Sequence, residues 1–165
     1  MPVSEYEQLT SYPLPAYNFR VTVGDQTVSF ARVSGLRRFH QTATYRHGLS
    51  WTEGETMYKF YVPIWDDLQL ERGSFPGASG STWIYAWLED REPRSIQIDM
   101  CDAQGNAVIR WSIAKALVVR MTGPNLDANA NDVGVESLEL KVTGVTLAEE
   151  GRELTPPADV KREGT

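Results

Sequence analysis

The sequence predicts a mainly β fold with one short α-helix, closed as a β-sandwich or an open barrel. Apolar and polar residues alternate over seven or eight short segments, the period of strands with one buried face. Breaks rich in Gly, Asn, Asp and Pro separate these segments and read as turns and loops. A single run repeats its apolar residues at helical spacing.

The segment from Tyr17 to Val23 alternates without a fault, and Gly24-Asp25-Gln26 supplies a turn. Thr27 to Val33 returns with Val28 and Phe30 on one face and ends near Gly35, so the two form a hairpin. From Arg38 to Arg46, Phe39, Ala43 and Tyr45 face one way, while Arg38, His40, Thr42, Thr44 and Arg46 face the other. Met57 to Ile64 puts Tyr58, Phe60, Val62 and Ile64 on one side and leaves Lys59 and Tyr61 on the opposite one. These two strands flank the connection His47 to Thr56, which predicts a long hairpin whose mobile tip carries His47, Trp51, Glu53 and Glu55.

Ser74 to Gly80 reads as a loop, and Trp83, Ile84, Trp87 and Leu88 then predict a helix from about Ser81 to Asp90. Ser81 is placed to cap it, and Pro93 lies just beyond its end. Two or three more strands follow: Ile96, Ile98 and Met100; then, after the turn Asp102 to Asn106, Ile109, Trp111 and Ile113; then Leu117, Val119 and Met121. Val133 and Val135 differ in parity from Leu138, Leu140 and Val142, which predicts a β-bulge at Glu136-Ser137. Residues 1–148 read as one domain, and residues 149–165 as a charged, flexible tail with little to bury.

Composition excludes several classes of function. A net charge of −6 argues against neutralising phosphates or binding anionic lipid. Met1 to Pro15 lacks a basic start followed by an apolar run, and no apolar stretch approaches the roughly 18 residues of a membrane span, so no membrane anchoring is expected. The lone Cys101 ends an apolar strand, where it reads as a small buried hydrophobe. His40 and His47 have no triad or metal context, so no catalysis, metal or cofactor is expected. The acidic pairs Asp66-Asp67 and Glu89-Asp90 read as solvated loops, and Gly73, Gly77 and Gly80 lack phosphate-loop spacing. Trp83, Trp87 and Trp111 lie on periodic apolar faces and read as core, while Trp51 and Trp65 are uncommitted.

Several stretches, in order, resemble the tail-tube family of contractile phages and phage-like extracellular injection particles. They are Leu14 to Phe19, Phe30 to Leu36, Tyr45 to Gly48, Leu70 to Gly73, the Trp83 to Leu88 helix, Gly123 to Asn129 and Val135 to Leu140. The resemblance spans most of residues 14–147. It implies protomers closing into hexameric rings that stack as the inner tube of a sheath, around a channel for DNA or protein cargo, without cofactor. It further implies sheath and baseplate or spike proteins as partners, synthesis in the bacterial cytoplasm, and a place in a virion tail or an extracellular phage-like particle.

Under that resemblance Arg38, His40, Thr42, Thr44, Arg46, Lys59 and Tyr61 belong to the hairpin that lines the lumen or joins subunits, and His47, Trp51, Glu53 and Glu55 to a loop between rings. The aromatic stretch Met57 to Trp65, the Ser74 to Gly80 loop and the charged tail depart from a minimal tube subunit, which leaves open a specialised tube-initiating ring at the spike or baseplate. Two readings of other classes stand beside it. One is a monomeric β-sandwich module that grips a glycan or peptide with exposed tryptophans; the other is a small hydrolase using His40 or His47.

Overall fold

A computed structural model describes residues 13–78, 80–149 and 152–154 of the chain. Among them are ten strands and two short helices: β1 (Phe19–Val23), β2 (Gln26–Val28), β3 (Arg32–Ser34), β4 (Arg38–Tyr45), α1 (Ser50–Glu53), β5 (Thr56–Trp65), β6 (Leu68–Gly73), α2 (Ser81–Leu88), β7 (Arg94–Cys101), β8 (Ala107–Thr122), β9 (Val135–Glu149) and β10 (Arg152–Leu154). One sheet runs in the order β2-β1-β7-β8-β9-β6-β3, with β10 also on β9, and β4 and β5 form a separate two-stranded sheet.

The large sheet is curled into an open barrel. Its two end strands, β2 and β3, are joined by residues 29–31 alone, so Val28 and Arg32 lie within roughly 14 Å of each other. In a flat sheet of that order they would be roughly 29 Å apart. The core reports the same curvature. Val21 and Val23 of β1 share one buried cluster with Leu68 and Leu70 of β6, together with Ile96, Ile98, Ile113, Leu138 and Leu140. Helix α2 adds Ile84 and Trp87 to this cluster, with Trp83, Leu88 and Trp111 packed against it, as their helical and strand periodicities predict.

The first hairpin forms as expected, with Val21 opposite Val28. The chain then leaves it: Thr27 to Val33 is not one strand but two, because β3 crosses to the opposite edge of the barrel and pairs with β6. The two apolar runs Ile109 to Ile113 and Leu117 to Met121 are a single long strand, β8.

The β-bulge lies elsewhere than predicted. Register shifts on β8 between Val118 and Arg120, while β9 keeps its facing residues continuous through Glu136 and Ser137. The parity on β9 does not switch, because Glu136 is itself buried and continues the Leu138, Leu140 face, leaving Val133 and Val135 exposed. Ser81 does not cap α2. Gly80 occupies the cap position without a side-chain bond, and the Ser81 hydroxyl instead donates to the Glu136 carboxylate. Only glycine fits at position 80, where a Cβ would lie 2.1 Å from the Phe75 carbonyl oxygen. Within the expected tail, Glu149 ends β9 and residues 152–154 pair with Leu147, Ala148 and Glu149; residues 1–12, 150–151 and 155–165 lie outside the described residues.

Candidate assembly interface

The register of the β3–β6 pair runs unbroken into β4–β5. Stepping one residue forward on one strand and one back on the other leads from Arg32 opposite Glu71, through Ser34 opposite Gln69 and Arg38 opposite Trp65, to His40 opposite Pro63. The four strands are therefore one long ribbon. Its base belongs to the barrel, and its outer part, β4 and β5, projects from it.

The joint between the two parts is held by short-range contacts. The Asp66 N–H donates to the Arg37 carbonyl at 2.9 Å, and the Arg37 guanidinium lies 3.3 Å from the Asp66 carboxylate. Lys141 on β9 reaches Asp67 at 2.7 Å, and this hydrogen bond raises the lysine above its ordinary pKa. Gly35 has φ 90°, and a Cβ there would sit 2.1 Å from the Asp67 carbonyl oxygen. No other residue fits this left-handed close approach.

Beyond His40 the register shifts so that Thr42 faces Lys59. Two strand positions on β4 are then matched by four on β5, an even excess that keeps each side chain on its face. One face carries Phe39, Ala43, Tyr45, Tyr58, Phe60, Val62 and Ile64; the other carries Arg38, His40, Thr42, Thr44, Met57, Lys59 and Tyr61. The second face is locally ordered. His40 Nδ1–H donates to the Phe60 carbonyl at 3.0 Å, its ring meets Tyr61 edge-on, and Lys59 Nζ stands 5.5 Å from the Tyr61 ring centre. Both faces of the outer ribbon are open, with Met57, Tyr58, Phe60, Tyr61 and Val62 each more than half exposed. Such a run of apolar side chains in water is unusual for a finished surface and makes the ribbon a candidate interface.

At the tip, the one-turn α1 rests on the Ser50 hydroxyl, which accepts from the His47 N–H at 2.8 Å. Arg46 pairs with Glu55, and His47 lies 3.4 Å from Glu53. Trp51 is 83% exposed beside them. The eleven residues singled out from the sequence thus fall on one projecting element: seven on or next to the polar face, four at the tip. Trp65 is half-buried at the ribbon base, and Cys101 is buried in the barrel wall.

Two charged clusters escaped the sequence reading. On the outer face of the barrel, Asp99 is 1% exposed, with Arg110 Nε at 2.7 Å and Arg20 at 3.3 Å. Burial pushes its carboxyl up, but hydrogen bonds, those from Arg110 foremost, outweigh this and hold it below the usual carboxylate range. Inside the barrel Arg72 faces Glu136; burial lowers the arginine's pKa and the Glu136 charge partly restores it. Buried charges break the apolar alternation that reveals strands, which is why β6 was not foreseen.

Among the described residues no group of three or more His, Cys, Asp or Glu could hold a metal ion. Nor is any described helix long and apolar enough to cross a membrane.

Comparison with known proteins sharpens this picture. The profile of the T4-like virus tail tube protein gp19 family matches residues 15–146. A chain from the extended sheath-tube complex of the PVC extracellular contractile injection system is 28% identical with TM-score 0.73, over 89% of this chain and 99% of that one. A chain from the anti-feeding prophage tube-terminating cap is 29% identical with TM-score 0.69, over 84% of this chain and 93% of that one. Hcp1 of Flavobacterium johnsoniae, at 14% identity and TM-score 0.53 over 81% and 96% of the two chains, shares the fold. No curated protein matches the sequence. The curled sheet, the projecting ribbon and the profile match agree: the chain belongs to the T4-like virus tail tube protein gp19 family.

Proposed function

We propose that the chain is a structural subunit of the inner tube of a contractile tail or injection system, and that copies close into hexameric rings stacked around a channel. The observation that carries this reading is the ribbon, an element that adds nothing to its own barrel core and exposes two unpaired strand edges and an apolar face. A lone protomer leaves these liabilities unmanaged, whereas closing ribbons from neighbouring copies into an inner barrel pairs the edges and covers the apolar side chains. The face with Phe39, Tyr45, Tyr58, Phe60 and Val62 then packs against a neighbour, and the face with Arg38, His40, Thr42, Thr44, Lys59 and Tyr61 lines the wet channel.

Contractile sheath and baseplate or spike proteins are the proposed outer and terminal partners, with DNA or protein as cargo. Neither β4 nor β5 contains an acidic residue, so the channel wall they form carries Arg38 and Lys59 without counter-charge. The chain's negative charge lies elsewhere. The match to a chain from an extended sheath-tube complex, over 89% of this chain and 99% of that one, supports the tube reading. His40 and His47 are engaged in ribbon contacts, and no catalytic role is proposed for them.

Negative-stain electron microscopy of the purified protein, with mass by light scattering on the same sample, tests the reading. Six-fold rings or tubes with a central hole are expected. A strictly monomeric species at high concentration, with or without sheath and baseplate partners, overturns it.

A further inference from the structure

The polar face of the ribbon stands apart from the rest of the chain in charge. Residues 38–65 carry three basic and two acidic side chains, a net +1, which leaves −7 for the remainder of a chain whose total is −6. The acidic residues that bracket the ribbon are each engaged by another basic side chain: Glu55 by Arg46 and Glu53 by His47 at the tip, Asp66 by Arg37 and Asp67 by Lys141 at the joint. Arg38 and Lys59 are exposed and make no ion pair among the described residues.

Lys59 faces Thr42, so the two cations stand four strand positions apart along β4, roughly 13 Å. Between them lie His40 and Tyr61, the latter 80% exposed, and Met57, 79% exposed, lies just beyond Lys59. When copies close into a ring, this face becomes two girdles of cations with an aromatic and hydroxyl band between them.

Two kinds of polyanion could fill such a channel. Duplex nucleic acid presents one phosphate charge per roughly 1.7 Å and keeps its bases stacked inside, so it offers the wall nothing for Tyr61 or Met57. It would also bind every girdle of a stack at once, whereas passage requires contacts weak enough to release. A polypeptide brings carboxylates for the girdles and apolar side chains for Tyr61 and Met57, and the flexible, polarisable methionine suits partners of varied shape.

Resting on the tube reading above, we infer that the channel wall selects polypeptide cargo with acidic segments that also contain aromatic residues. Arg38 and Lys59 read the charge, and Tyr61 and Met57 supply the apolar contacts. The rest of the protomer, net negative, repels the same cargo, so an acidic chain gains by being inside the channel and not along its outer surface.

Tubes assembled in the presence of fluorescent random copolymers test the inference. The readouts are probe pelleted with the tubes and filled channels in negative stain, at about 0.15 M salt. Poly(Glu,Tyr) should be retained about tenfold more than poly(Lys,Tyr) of the same length. Arg38→Gln with Lys59→Gln should still give tubes and lose about tenfold of the bound poly(Glu,Tyr), and Arg38→Lys with Lys59→Arg should keep it. If the double variant forms no tubes, Lys59→Gln alone is read, with a loss of about threefold expected. Undiminished retention in the variant without these charges, loss in the charge-conserving one, or equal retention of the two copolymers overturns the inference while leaving the tube reading intact. Duplex DNA retained more strongly than poly(Glu,Tyr) under the same conditions overturns the choice of a polypeptide. Failure of the unmodified protein to form rings or tubes overturns both readings.

Discussion

Arg72 and Glu136 face each other across β6 and β9 at 2% and 3% exposure, with Arg72 Nε 3.8 Å from Glu136 Oε2. Glu136 also accepts the Ser81 hydroxyl at the start of α2, and Arg72 stacks 4.6 Å from the centre of the Phe75 ring. The pair thus ties the barrel wall to the loop and helix that close its end. Removing one partner strands a buried charge, whereas removing both does not. Glu136→Leu should therefore lower stability by about 3 kcal/mol, and the double variant Arg72→Met with Glu136→Leu should recover most of the loss. Urea denaturation followed by tryptophan fluorescence measures both, and equal losses in the single and double variants would refute the coupling.

Asp99 predicts a dependence on pH. Its folded pKa is depressed, so its carboxylate contributes fully above the unfolded value of about 3.9 and loses that contribution as pH falls through the lower folded value. Because both arginines are partly exposed, the expected cost of Asp99→Asn at neutral pH is about 2 kcal/mol. The gap between the variant and the parent should narrow as pH falls below about 4. A gap that stays constant from pH 7 to pH 2 in denaturation midpoints would contradict this.

Gly35 governs the ribbon joint. Gly35→Ala forces a Cβ onto the Asp67 carbonyl in a left-handed backbone, and should cost about 3 kcal/mol or displace the ribbon and abolish ring formation. Gly48 has open space and no left-handed φ, so Gly48→Ala should change stability by under about 0.5 kcal/mol. Thermal unfolding and ring counts by microscopy separate the two variants.

The apolar ribbon face should matter to assembly and not to the protomer. Phe60 and Val62 are exposed in the single chain, so Phe60→Asp with Val62→Asp should shift unfolding free energy by under about 0.5 kcal/mol per site while leaving the protein monomeric in light scattering. Retention of rings by this variant would remove the assigned role of that face.

The sequence was legible where burial followed alternation. Val21 and Val23, Ile96 and Ile98, and the Trp83 to Leu88 run announced β1, β7 and α2 because their apolar residues enter the core at the periods of strand and helix. It misled where a buried charge took an apolar position. Arg72 hid β6, and Glu136 made a continuous strand look like two of opposite parity, displacing the bulge from Val119 on β8 to β9. The split of Thr27 to Val33 was equally hidden, since alternation says which face a residue takes and not which edge its strand joins.

By itself, then, the sequence determined a mainly β chain with an amphipathic helix and a long hairpin of one polar and one apolar face, because these follow from local periodicity. Only the tertiary structure decided that the hairpin projects from the barrel in register with β3 and β6, across the interruption at residues 35–37 and 66–67. An apolar alternation reads alike whether its face meets the chain's own core or another copy, and the distinction arises only when strands far apart in sequence curl around Leu70 and Trp87 and leave Phe60 and Tyr58 outside.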